Sequence, residues 1–147
     1  MLVLDTNVLV YAADDAAPEQ ESCRAAVERC RAGRQPWYLT WTVVYEFLRV
    51  VTHPRVLRRP RTVEQAWSFV TAVLSAPTAG MLVATHEHAE VAAQFLAEHG
   101  TVLRGNLLHD AHTAILMREH GIRRIVTRDA DFHRFGGLDV VDPLATP

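Results

Sequence analysis

Leu2, Val3 and Leu4 form an unbroken apolar run, the polar Asp5-Thr6-Asn7 follows, and Val8 to Val10 are apolar again. A short all-apolar run predicts a strand buried on both faces, as in a parallel sheet covered by helices. Thr6 and Asn7 are suited to taking up the orphan N–H groups of a helix start. A short helix is therefore expected over residues 8–13, closed by the polar Asp14-Asp15. This arrangement puts Asp5 at the carboxyl end of a central strand, where open α/β sheets form their ligand crevice. An unpaired carboxylate is costly to bury there, so the position predicts a positive partner.

The rest of the chain repeats the alternation of strand and helix. Pro18 opens a helix to about Arg31, with Gly33 as its stop and Cys23, Ala26, Val27 and Cys30 as one buried stripe. Residues 37–40 read as a second strand, and residues 42–52 as a helix with Val43, Val44, Phe47, Val50 and Val51 inward, ended by Pro54. Thr62 caps a helix to about Leu74 whose buried set is Val63, Ala66, Trp67, Val70 and Val73 or Leu74. Residues 81–84 read as a strand, 87–98 as a helix ended by Gly100, and 107–120 as a helix ended by Gly121. Residues 125–127 and 138–141 read as strands, joined by a loop over 129–135 with a short helical turn. Strands alternating with helices imply a mainly parallel central sheet between helical layers, an α/β/α sandwich.

Composition narrows the chemistry. A chain of 147 residues fits one domain, 1–147, and its 49% hydrophobic content is ordinary for a globular protein. The formal net charge of −2 gives no overall pull toward polyanions, although local patches matter more than totals. All 15 basic residues are Arg, and the absence of Lys excludes the P-loop, whose lysine holds nucleotide phosphates. It also disfavours phospho-aspartate receivers and haloacid-dehalogenase-like phosphatases, which start from a strand-end Asp but use a Lys. Cys23 and Cys30, seven apart on one helix, are separated by roughly 10 Å, too far to bridge, and fit a reduced compartment. Asp5 interrupts the N-terminal apolar run and no run reaches membrane-spanning length, so a cytoplasmic protein with no membrane role is expected. The one dense basic stretch is 53–61, with four arginines in seven residues and two prolines. It reads equally as a solvated loop and as an edge facing RNA or a protein partner.

A few acids stand among apolar neighbours. Glu46 lies inside Val43-Val44-Tyr45-Glu46-Phe47-Leu48, Asp110 near the start of the 107–120 helix, and Asp129 just past the 125–127 strand. Singly each has a plain explanation: Asp110 favours a helix N-terminus and Asp129 a turn. Together with Asp5 they are two strand-end acids and two helix acids aimed at one sheet edge. Four converging carboxylates cannot all stay ionised without a hard cation. Oxygen ligands without Cys, and without a convincing His pair, fit Mg²⁺ or Mn²⁺ better than zinc. The pairs His86/His88 and His109/His112 lack the i, i+4 spacing of HExxH. His109 or His112 is expected instead to orient Asp110 or to touch RNA.

These motifs resemble those of PIN-domain ribonucleases, and size and layout resemble the VapC toxins of VapBC toxin–antitoxin pairs. Leu4-Asp5-Thr6-Asn7-Val8-Leu9 is similar to the family's first motif, Tyr45-Glu46-Phe47-Leu48 to the second, His109-Asp110-Ala111-His112-Thr113-Ala114 to the third, and Thr127-Arg128-Asp129-Ala130-Asp131-Phe132 to the last. The resemblance spans the chain. It implies a three-layer α/β/α PIN-like fold, Mg²⁺- or Mn²⁺-dependent endoribonuclease activity that inhibits translation and growth, a homodimer, and neutralisation by a VapB-type antitoxin. Asp5, Glu46, Asp110 and Asp129 are then the expected catalytic and metal-binding acids, with Asp131 the rival to Asp129. Thr6 or Asn7, and Thr127, would hold these carboxylates in place. Metal-activated water attacking an RNA phosphodiester is the implied mechanism, one acid assisting its deprotonation. Arg128 and Arg134, which bracket the last motif, are the foremost candidates for gripping RNA, ahead of Arg49, Arg55, Arg58 and Arg59. Tyr11, Trp41 and Tyr45 are expected in the core rather than stacked on bases. Trp67 and Phe69 are candidates for a dimer contact. The alternatives are a housekeeping PIN-type nuclease and a degenerate PIN-like binding module, the latter predicting a missing carboxylate.

Overall fold

The computed structural model describes residues 1–145. Strand β1 (Leu2–Leu4) is the middle of a five-stranded sheet in the order β3-β2-β1-β4-β5. Its neighbours β2 (Trp37–Thr40) and β4 (Arg124–Val126) and the outer β3 (Ala79–Leu82) and β5 (Asp139–Val141) are all paired in parallel. Leu2 stands opposite both Trp37 and Arg124, and Leu4 opposite Val126. All carboxyl ends therefore open along one edge.

Side chains alternate across the sheet, and each face carries its own core. Leu4, Trp37, Leu39 and Val126 pack with α1 (Thr6–Ala13), α2 (Gln20–Ala32), α3 (Trp41–Val51) and α4 (Val63–Leu74). Val3, Leu82 and Ile125 pack with α5 (His88–His99), α6 (Leu107–Glu119) and Phe132 and Phe135 of the 3₁₀ turn at Ala130–Arg134 and its end. The three-layer α/β/α reading stands. Among the described residues no helix is long and apolar enough to cross a membrane. Cys23 and Cys30 are free, and burial pushes both thiols up to about 11, which leaves them weak nucleophiles.

Three local expectations are corrected. Helix α1 starts two residues early, and Asp5 itself is its cap, accepting the Thr6 N–H at 2.7 Å, so Thr6 and Asn7 are free for other partners. Strand β3 lies two residues before the apolar run 81–84: Gly80 sits opposite Tyr38, where an added Cβ would come within 2.9 Å of the ring, and Val83 is left exposed. On α4, Val63 and Trp67 face solvent while Ala66, Val70 and Val73 are buried. Trp41 and Tyr45, expected in the core, are also exposed.

Helix α4 begins in a full capping box, with Thr62 Oγ1 accepting the Gln65 N–H and Gln65 Oε1 accepting the Thr62 N–H. Thr62→Ala is expected to lower unfolding free energy by about 1 kcal/mol, read as a shifted urea midpoint at constant slope.

Candidate active site

Asp5 follows the end of β1 and is only 6% exposed, and every bond it makes is directed. Oδ1 accepts the Thr6 N–H; Oδ2 accepts Thr127 Oγ1–H at 2.6 Å and Asn7 Nδ2–H at 2.7 Å. Thr127 follows β4, adjacent to β1, which brings residues 122 apart in sequence together. Its hydroxyl also accepts from Asn7 Nδ2 at 3.0 Å and from the Asp129 N–H at 2.9 Å. Asn7 Oδ1 in turn accepts the Arg128 N–H. Six residues from two adjacent strand ends, Asp5 to Asn7 and Thr127 to Asp129, thus form one network.

Glu46 reaches this network from α3. Thr40, at the end of β2, caps that helix by accepting the Val43 N–H, and fixes its start beside the crevice. Thr6 Oγ1–H then donates to Glu46 Oε2 at 3.0 Å, while Arg49 touches the other oxygen at 3.4 Å. Asp110 arrives in the first turn of α6. Asp129 caps the 3₁₀ turn by accepting the Asp131 N–H at 2.8 Å.

These residues line a cleft of about 390 Å³ bounded by Asp5, Thr6, Asn7, Tyr11, Asp14, Glu46, Asp110 and Asp129, with Val10, Val50, Val56 and Leu57 as its apolar side. Five of the lining residues are acids and none is Arg or His. Burial raises the Asp5 carboxyl to about 6, against bonds from Thr127 and Thr6 that lower it, with Glu46 and Asp129 raising it further. Burial also pushes Asp110 up to about 7, reinforced by the charges of Asp5, Asp129, Glu46 and Asp131. The helix dipole favours an ionised Asp110 by less than 1 kcal/mol in ordinary settings, so burial and repulsion win.

Among the described residues no three His, Cys, Asp or Glu side chains are drawn close enough to hold an ion as they stand. The donor chemistry nevertheless fits a hard cation: the acids of the cleft offer hard carboxylate oxygens, and burial together with repulsion from neighbouring acids raises the carboxyls of two of them, Asp5 and Asp110.

The other anticipated residues fall outside. Asp131 gives its carboxylate to Arg134 Nε at 2.8 Å and does not line the cleft, which takes in Asp129 instead. The Arg128 side chain turns away to Glu19 at 2.8 Å and Asp142 at 3.4 Å. His112 does not orient Asp110; its Nδ1 pairs with Thr42 Oγ1 at 2.8 Å, tying α6 to α3. His88 and Thr85 are engaged by the buried Glu119, so no His joins the acids. Tyr11 packs partly against the core, as expected, and also lines the cleft wall. Asp14 is the acid that sequence reading passed over; it reads as a helix-closing residue, and only the return of the 53–61 loop encloses it.

The family model described as PIN domain matches residues 2–138. Ribonuclease VapC48 of Mycobacterium tuberculosis is 36% identical over 141 residues, covering 96% of each chain. Ribonuclease VapC37 of the same species is 33% identical over 145 residues, covering 99% of each. Among solved structures, VapBC2 from Rickettsia felis, bound to a promoter DNA fragment, aligns with a TM-score of 0.68 at 18% identity over 95% of this chain and 96% of that one. Mycobacterium tuberculosis VapC20, a toxin cleaving the Sarcin-Ricin loop, aligns at 0.67 with 16% identity over 94% and 97%.

Proposed function

The chain belongs to the PIN-domain family, and on that premise we propose that it is a divalent-metal-dependent endoribonuclease, the toxin of a toxin–antitoxin pair. One observation carries the reading: Asp5, Glu46, Asp110 and Asp129 meet at the carboxyl edge of the sheet in a cleft with no cation of its own. No carboxylate of the set is missing, which disfavours a degenerate binding module.

Asp5, Glu46, Asp110 and Asp129 are the residues that would hold Mg²⁺ or Mn²⁺, with Asp131 left to Arg134. Such an ion supplies Lewis acidity, which acidifies water and offsets charge on phosphate oxygens. The chain's own residues do the positioning. Thr127, Asn7 and the Thr6 N–H fix both oxygens of Asp5, and the Thr6 hydroxyl fixes Glu46. A carboxylate of the set takes the proton of the attacking water, and the bond from phosphorus to the departing oxygen breaks. Arg134, exposed beside the last motif, is nearer to free than Arg128 for contact with RNA.

The structural relatives whose names denote VapBC complexes support a VapB-type antitoxin as partner. The exposed Trp41, Tyr45 and Leu108 supply apolar surface on α3 and α6 for a homodimer. Its place of action is the cytoplasm.

The test is cleavage of total RNA by the purified chain after chelation and after return of Mg²⁺ or Mn²⁺, beside Asp5→Ala and Asp110→Ala. Cleavage is expected only from the parent chain with metal. Equal cleavage by both variants would overturn the acid site, and cleavage in chelator would overturn the metal requirement.

A further inference from the structure

The acid cleft poses a problem for a polyanionic substrate. Its five lining carboxylates repel the phosphates that flank any scissile bond, and no lining residue is basic. Of the arginines close in sequence to these acids, Arg128 is held by Glu19 and Asp142, Arg134 pairs with Asp131, and Arg49 touches Glu46. Each of these three is paired with an acid, so arginines without such a partner are the stronger source of charge for gripping the flanking strand.

A second cleft, of about 460 Å³, adjoins the first. It is lined by residues including Leu57, Arg58, Arg59, Arg61, Asp14 and Gln65. Leu57 and Asp14 line both clefts, so the two are neighbours that share a wall. Arg58 and Arg59 are exposed, and among the described residues neither forms an ion pair. Arg61 differs: its guanidinium donates to the Ala13 carbonyl, closing the C-terminal end of α1, and its N–H donates to the Val51 carbonyl at 2.8 Å.

The loop that bears these arginines is fixed rather than trailing. Leu57 is buried in the core under α1 and α3, and the N–H groups of Val56 and Leu57 both return to the His53 carbonyl. Pro54 and Pro60 bound the stretch and limit its conformations. Two unpaired guanidinium groups on a braced loop, next to an acid cleft, are pre-organised for phosphate. Asp14 and Asp15 also line this cleft and offset part of its positive charge.

We propose that Arg58 and Arg59 form a phosphate-binding subsite for the single-stranded RNA flanking the scissile bond, entered from the acid cleft across Leu57. This rests on the ribonuclease reading. The two arginines are positioning residues: they hold the strand and leave the reacting atoms to the acids.

The experiment compares Arg58→Ala/Arg59→Ala with Arg29→Ala/Arg34→Ala, an equal charge loss beside the amino end of β2, at the opposite sheet edge. Binding of a short labelled RNA of mixed sequence is followed by fluorescence anisotropy in an Asp110→Asn background, and cleavage kinetics in the otherwise native chain. The subsite pair is expected to weaken binding about 10-fold or more and to flatten the slope of log affinity against log salt by about 1–2. It raises KM while kcat holds, whereas the control pair shifts binding less than about 2-fold. Equal effects from both pairs, or none from the subsite pair, would overturn the proposal. So would unchanged RNA affinity together with weakened binding of the antitoxin, which would give the cleft to a protein. A parent chain that neither binds nor cuts RNA fails the ribonuclease reading itself and is recognised before any variant is compared.

Discussion

Asp110→Asn is expected to cut RNA cleavage by at least about 10³-fold while raising the stability of the metal-free chain above neutral pH. The first effect follows from removing one of the four carboxylates proposed to hold the ion, since the amide keeps the shape but not the charge. The second follows from linkage. Asp110 titrates at about 7 and Asp5 at about 6 in the folded chain, both above the ordinary 3.8. Between pH 4 and 7 the folded state therefore holds more protons than the unfolded state, so stability falls as pH rises through that window and levels off above it. Asparagine carries no such cost, and Asp5 loses a neighbouring charge. A gain on the order of 2 kcal/mol at pH 8 in chelator is expected from a shift of this direction and burial. At pH 4.5 most of the gain should be gone, because folded Asp110 is protonated there, and it should vanish below about 3.8, where the unfolded carboxyl is protonated too. Thermal unfolding at both pH values, with and without Mn²⁺, reads all of this. In the parent, the rise in Tm on adding Mn²⁺ should grow from pH 5 to pH 8; in the variant it should be smaller at every pH. A variant that loses cleavage and stability together would mean that Asp110 serves packing rather than ion binding.

This contrast explains why the acids were legible in sequence and their wiring was not. A charge among apolar neighbours has few reasons to be there, so Asp5, Glu46 and Asp110 stand out within Leu2–Val10, Val43–Leu48 and the start of α6. The parallel alternation of strands then predicts that strand-end acids share an edge, which is how Asp5 and Asp129 come to line one cleft. Pairings across the fold leave no such mark. Arg128 looks free in sequence beside Asp129, but Glu19, 109 residues away, takes its guanidinium, and Asp142 comes round from the end of β5. Arg58 and Arg59 look like loop charge until Leu57 is seen anchored in the core, which sets them at the rim of the acid cleft. The start of β3 was misplaced for a related reason. Hydropathy favours Met81–Ala84, but register against β2 is set by the fit of Gly80 to the Tyr38 ring, a contact between two strands. Trp67 and Tyr45 have core composition and surface position; an aromatic's burial depends on what faces its helix, and periodicity does not specify that.

Thr127→Val is expected to disarm the site without touching a ligand. Thr127 is 1% exposed, and its hydroxyl has one proton to give and two lone pairs. All three are used: the proton goes to Asp5 Oδ2, and the lone pairs take Asn7 Nδ2–H and the Asp129 N–H. Valine fills the same space, so no cavity opens, but Asp129 loses the bond that sets its backbone and Asp5 loses its shortest contact. Leaving these groups unsatisfied costs about 1–3 kcal/mol, read from urea unfolding. The Thr127 bond is also the strongest influence lowering the Asp5 carboxyl, so its loss lets burial push that group above about 6. The acid limb of the pH profile for kcat should then move to higher pH, and kcat should drop about 10–100-fold, as for other residues that orient metal ligands. Thr127→Ser keeps the hydroxyl and should restore the pH profile even where it loses packing of the methyl group. That pair separates wiring from bulk: if serine fails and valine succeeds, the methyl matters and the hydrogen bonds do not. If valine lowers stability but leaves the pH profile in place, Thr127 is a structural residue and Asp5 is tuned by burial alone.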